Sequence, residues 1–150
     1  MAIRVASGGF LAITKEYYPP NLYRLPTGGI RRGEPVLEAL HREVREETGL
    51  NSPVVTLVAI IGYHDGRVLS EFFTWVFLLE ARDEPRAEDP DERIAGFRIV
   101  ALDELPEIAA RLEGLPDDYS AEFERSWAEW GRFRGAAHRV VREVLTDLGR

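Results

Sequence analysis

Cysteine is absent from the 150 residues. That excludes disulfides, thiolate metal sites and a cysteine nucleophile, and it accords with a reducing cytoplasm, the expected compartment. Lysine is nearly absent too: of the 19 basic residues only Lys15 is one, the rest being arginine. Positive charge as a whole is in deficit, with a formal net charge of −7. Such a field works against a nonspecific grip on DNA or RNA, and it repels a nucleotide unless divalent cations lie between. No run of 18 apolar residues occurs, so no membrane span is expected. The opening MAIRVASGGFLAI lacks the ordered zones of a signal peptide.

What is present suits a single domain over residues 1–150. Hydrophobic residues make up 45% of the chain, enough to close around a core. Loose alternation from Arg4 to Thr14 predicts a strand, or a strand pair interrupted at Gly8-Gly9. A short strand is predicted at Leu22 to Leu25 and a helix from Pro35 to Thr48, stopped by Gly49. Val54 to Tyr63 and Glu71 to Ala81 read as long strands around a turn at His64-Asp65-Gly66-Arg67. Two prolines and six acids mark 83–92 as a loop. One more strand (Phe97 to Ala101), a short helix (Asp103 to Leu112) and a long helix (Tyr119 to Leu148) complete an α/β domain with a mixed sheet. Gly131 and Gly135 are where the long helix is expected to bend.

The chemistry is concentrated in GGIRRGEPVLEALHREVREETGL, Gly28 to Leu50. At 3.6 residues per turn, Glu43, Glu46 and Glu47 share one face of the predicted helix, while Leu37, Leu40 and Val44 form an apolar stripe beside it. One flank can then pack on the sheet while the adjacent flank offers three carboxylates to a cleft. Like charges on adjacent turns repel by a few tenths of a kcal/mol per pair, roughly, and a divalent cation turns that cost into attraction. Oxygen donors suit Mg²⁺ or Mn²⁺, which also bind substrate phosphates. Gly28-Gly29 allows close backbone approach to such an ion or phosphate. Arg42 can pair with Glu38 one turn back, or with Glu34 if the loop folds over it. Surface helices carry Glu and Arg at such spacings merely for solubility. Nine specified positions, however, from Gly28 through Glu34, Arg42 and Glu43 to Leu50, match one pattern, a coincidence of roughly one in a million.

That pattern is the Nudix box, and the chain resembles the Nudix hydrolase family. The resemblance implies an α/β/α sandwich with a mixed sheet, and hydrolysis of a pyrophosphate bond in a nucleoside-diphosphate-linked small molecule: a nucleoside triphosphate, a nucleotide sugar or a dinucleotide. By that resemblance Glu43, Glu46 and Glu47 are the metal carboxylates, Glu43 being alternatively a base, and the Thr27 carbonyl is a further ligand whose side chain need not matter. Glu34 and Arg42 are the orienting salt bridge. The family often adds an acid from a loop outside the box, for which Glu88 and Glu92 are the candidates against a solvated loop. His64 is a weaker candidate for a base. Tyr17, Tyr18, Tyr23 and Phe73 are weighed as stacking partners for a base, against the alternative that they are core. Arg31 and Arg32 are weighed as phosphate contacts, against a solvated turn.

Substrate markers known from the family are absent. No proline occurs in Gly62 to Arg67, where members preferring ADP-ribose tend to have one, and Tyr63 falls too early for the dinucleoside polyphosphate marker. Two other readings stay open: a catalytically silent nucleotide-binding regulatory module, and an enzyme acting on the 5′ end of RNA, which the acidic balance disfavours. The apolar spacing of the last helix, with Phe123, Trp127, Trp130 and Phe133, predicts a stripe packed on the domain. A homodimer interface or a wall over the substrate pocket is the alternative.

Overall fold

A computed structural model describes residues 1–64 and 69–149. Five strands form one sheet: β1 (Ala2–Arg4), β2 (Phe10–Lys15), β3 (Val54–His64), β4 (Leu69–Glu80) and β5 (Ile94–Val100). Their spatial order is β3-β4-β1-β2-β5. β1 runs parallel to β4, and every other pairing is antiparallel, so the sheet is mixed.

Alternation along the strands sorts side chains into two cores. Ile3, Leu11, Phe77 and Leu79 point to one face, where Leu40 and Val44 of helix α1 (Val36–Thr48) meet them. Ala2, Phe10, Ala12, Val76 and Leu78 point to the other, against Leu105, Ile108 and Leu112 of α2 (Leu105–Glu113) and Trp130, Val141 and Leu145 of α3 (Trp127–Asp147). The result is an α/β/α sandwich. Each such leucine or isoleucine contributes about 1.5–3 kcal/mol through burial. Among the described residues no helix is long and apolar enough to cross a membrane.

Three expectations need correction. Leu22 to Leu25 is not a strand: Arg24 makes only an isolated bridge to Ile13, because a chain running into Pro26 cannot extend the ladder. Leu37 is 52% exposed and lies outside the apolar stripe, which Leu40 and Val44 carry with Ala39. The last helix begins at Trp127, not Tyr119. Residues before it form a small hairpin, β6 (Tyr119–Ser120) with β7 (Arg125–Ser126), and the Ser126 side chain caps the helix by accepting from the Glu129 N–H. α3 runs through Gly131 and Gly135 as one helix. At Gly131 a Cβ would collide with the Leu112 carbonyl, so this glycine serves the close crossing of α2 and α3.

Candidate functional site

The loop before α1 and the helix itself close around Arg42. Its guanidinium donates twice to Glu34, through Nε (2.8 Å) and Nη2 (2.9 Å), and Nη2 also donates to the Gly29 carbonyl (2.8 Å). Its Nη1 reaches Glu43 (2.7 Å) and Glu46 (2.8 Å). One cation therefore offsets part of the mutual repulsion of three carboxylates and fixes the loop to the helix. Hydrogen bonding to Arg42, and then to the Arg31 N–H, lowers the Glu34 pKa to about 2. Glu38 takes no part in this network; of the two alternatives, Arg42 has Glu34.

Glu43 lies against the glycine turn. It accepts from the Gly29 N–H (3.0 Å), and a Cβ on Gly28 would fall on its carboxyl group. Glycine at 28 is what permits that approach. Burial raises the Glu43 pKa, opposed by its contact with Arg42. At the other end of α1, Gly49 adopts φ 66°, and its N–H closes the helix on the Arg45 carbonyl.

Glu43, Glu46 and Glu92 offer carboxylate oxygens that all lie within 4.8 Å of one another. Three hard oxygen donors so placed fit Mg²⁺ or Mn²⁺, and they fit no soft metal. Of the two acids weighed in the loop, Glu92 is in this group. Glu88 is not: it is exposed and its carboxyl borders Gly49, because the Arg86 N–H bonds the Thr48 carbonyl and holds that part of the loop at the far end of α1.

Glu47 has other partners. It is 1% exposed, and its carboxylate accepts from the Thr27 N–H (2.9 Å) and from Arg24 Nη2 (3.3 Å), with Lys15 Nζ at 3.4 Å. Lys15 also donates to Glu92 (2.7 Å). Burial works against the charge on Lys15, but Glu47 and Glu92 outweigh it and hold the pKa above its usual value. Arg24 is held charged in the same way: Tyr18 and Glu47 overcome the cost of burial.

The Thr27 side chain has partners of its own. Its hydroxyl accepts from Arg24 Nη1 (3.0 Å) and from Arg134 Nη1 (2.7 Å) of α3. One turn further on, His138 is 1% exposed and accepts from the Leu25 N–H (2.9 Å) through Nε2, while Nδ1 faces the Arg134 carbonyl. Burial lowers the His138 pKa to about 4, so the ring is neutral, as an acceptor must be. Burial, and then Arg24, lowers the Arg134 pKa to about 10.

Several of these groups, among them Gly28, Glu43, Thr27, Glu47, Lys15 and Arg134, border one cavity of about 580 Å³. Its apolar lining includes Tyr17, Tyr18, Phe73, Trp130 and Phe133. Phe73 is 53% exposed at this mouth. Tyr23 does not line the cavity: it packs on the core shared with α2 and α3. Arg31 is exposed, with Glu46 at 3.5 Å, and Arg32 is exposed outside the lining. Strand β3 ends at His64, whose side chain lies outside the described residues along with 65–68. Sequence reading missed Arg24, Arg134 and His138 altogether. The i, i+4 spacing of Arg134 and His138 on an otherwise apolar helix face was the available signal.

The comparisons with known proteins agree with this fold. A family model described as NUDIX domain matches residues 1–122. An ADP-ribose pyrophosphatase of Methanocaldococcus jannaschii is 32% identical over 97 residues, covering 65% of this chain and 56% of that protein. The chain thus spans little more than half the length of that curated relative. Among solved structures, a MutT NUDIX hydrolase from Burkholderia pseudomallei matches with a TM-score of 0.57 and 25% identity, covering 97% of this chain and 99% of that one. A C. elegans Ap4A hydrolase binary complex matches with a TM-score of 0.58 and 15% identity, covering 99% and 95%, a likeness of fold alone.

Proposed function

The chain belongs to the NUDIX domain family, and from that premise we propose that it hydrolyses a pyrophosphate bond in a nucleoside-diphosphate-linked small molecule, with Mg²⁺ or Mn²⁺ as cofactor. The observation that carries this reading is the convergence of Glu43, Glu46 and Glu92 beside the glycine turn at the edge of the cavity. These three would hold the ion, with Glu47 and the Thr27 carbonyl next to them. When bound, the ion supplies charge neutralisation for a diphosphate and acidifies a water.

The remaining work falls to the chain. Water adds to one phosphorus, the bridging P–O bond breaks, and both products leave bearing phosphate. Glu43, held at the glycine turn by the Gly29 N–H, is the residue we assign to take the proton from that water. Arg42 and Glu34 hold the glycine turn and α1 in one arrangement, which is catalysis by positioning. The aromatic lining fits a base or sugar, and the exposed Phe73 is the residue we assign to stacking at the mouth. Arg31 and Arg32 stand as solvated residues in this reading.

The test is a substrate panel with Mg²⁺ and Mn²⁺ in heavy-oxygen water, run on the wild type, Glu43→Gln and Glu47→Gln. It begins with ADP-ribose, because the archaeal relative is named for it, and extends to nucleoside triphosphates, nucleotide sugars, dinucleotides and 5′-triphosphate RNA. Incorporation of label shows which phosphorus is attacked. Glu43→Gln is the cleaner variant: Glu47 also neutralises buried Arg24, and removing one partner of a buried pair costs about 3–5 kcal/mol in stability. Silence across the panel in the wild type would turn the reading toward a nucleotide-binding module.

A further inference from the structure

Lys15, Arg24 and Arg134 converge on one side of the cavity, where Glu47 and Glu92 are the carboxylates paired with them. Those two acids serve Lys15 and Arg24. Among the described residues no carboxylate pairs with Arg134. Its Nη1 is spent on the Thr27 hydroxyl, a neutral oxygen it shares with Arg24, and its Nε is shut off from solvent with no hydrogen-bond partner. Its faces rest against Phe133 and Trp130, with the guanidinium carbon 5.1 Å and 5.9 Å from the ring centroids.

Such an arrangement is costly for a merely structural arginine. Two guanidinium groups crowd one hydroxyl, a buried donor is wasted, and a positive charge is left in surroundings of low polarity. An anion in the cavity offsets the uncompensated positive charge, and a planar fork resting against aromatic rings suits a phosphoryl group.

We propose that Arg134 is an anion-receiving residue of this cavity, taking a phosphoryl oxygen of the substrate. This rests on the hydrolase reading for the identity of the substrate, but the charge arrangement stands apart from it. Arg134 lies beyond the residues 1–122 matched by the family model, on the helix that walls the cavity.

The experiment measures binding of inorganic pyrophosphate by calorimetry at low ionic strength in the presence of a chelator, so that no metal and no turnover enter. Arg134→Met keeps the packing on Phe133 and Trp130 and is expected to weaken binding tenfold or more. Arg111→Met, which removes an equal charge from the exposed side of α2, is expected to bind as the wild type does. Arg134→Lys, with a point charge in place of the fork, should fall between them. If Arg134→Met does not fold, the lysine variant decides: a loss of threefold or more supports the proposal, and a smaller one overturns it. The proposal is also overturned if a folded Arg134→Met binds within twofold of the wild type, if Arg111→Met loses as much, or if the wild type does not bind pyrophosphate. Failure of the hydrolase reading looks different: it is silence of the wild type on the substrate panel whatever the calorimetry returns.

Discussion

The acidic wall is a knot of Glu34, Glu43 and Glu46 around Arg42, of which Glu43 lines the cavity; on the basic wall Lys15 and Arg24 share Glu47, Lys15 also holds Glu92, and Arg134 has no carboxylate partner among the described residues. The two walls are built differently. The acidic one comes from a single helix and its leading loop, within fifteen residues of sequence, and needs only helical periodicity to assemble. The basic one draws on β2, the segment after it and α3, so its members are up to 119 residues apart (134 − 15) and meet only when the sandwich closes. Opposite excess charges brought together at one cavity, with Glu92 touching both sets, suit a ligand that is itself a cation joined to a polyanion, as a metal–diphosphate is.

The sharpest way to break the contrast is to neutralise the acid wall at one point. Glu43→Gln, which removes a charge from the proposed ion site and a proton acceptor while keeping the side-chain shape, is expected to lower kcat about 10²–10⁴-fold on any substrate the panel identifies. Unchanged turnover would remove Glu43 from the chemistry.

On the basic side, the histidine beneath Arg134 offers a pH test. His138 has its pKa lowered to about 4 from 6.5, so the unfolded chain binds more protons between those values. Its contribution is whole above about pH 6.5 and is lost as pH falls toward 4, by up to roughly 3 kcal/mol. Urea unfolding across that window should show the fall, and His138→Gln should flatten it. An identical slope in both proteins would assign the fall to other groups.

Next in size, Gly28→Ala places a methyl group where the Glu43 carboxyl lies and forces it aside. A shift of that order should cost about 10²-fold in kcat, read by steady-state kinetics. The smallest effect belongs to the exposed pair on the rim: Arg31→Ala should change unfolding free energy by less than about 0.5 kcal/mol and leave kcat within a few-fold of wild type. A large loss of activity there would restore Arg31 as a phosphate contact and extend the basic wall outward.

The same contrast explains what was legible beforehand. The layers, the mixed sheet and α1 followed from periodicity and from Gly49, because each signal is local. Glu43 and Glu46 could be placed on one face for the same reason. Glu92 and Glu88 could not be told apart, since only the contact of Arg86 with Thr48 decides which acid swings toward α1. Glu47 shares the arc of Glu43 and Glu46, yet it is buried and occupied by cations from β2 and the Arg24 segment, which no helical wheel displays. The start of α3 was misread because the apolar spacing from Phe123 continues through a hairpin. Ser126, three residues before Glu129, marked the true cap.

α3 meets the site through two hydrogen-bonding side chains, His138 on Leu25 and Arg134 on Thr27, and through Trp130 and Phe133 in the cavity lining. The clustered carboxylates and the ceiling over the cavity therefore sit on separate stretches of chain, α1 with its loop and α3, joined by the core that Val141 and Leu145 also fill. Changes confined to the cavity-facing positions of α3 would reshape that ceiling while leaving the acids of α1 in place.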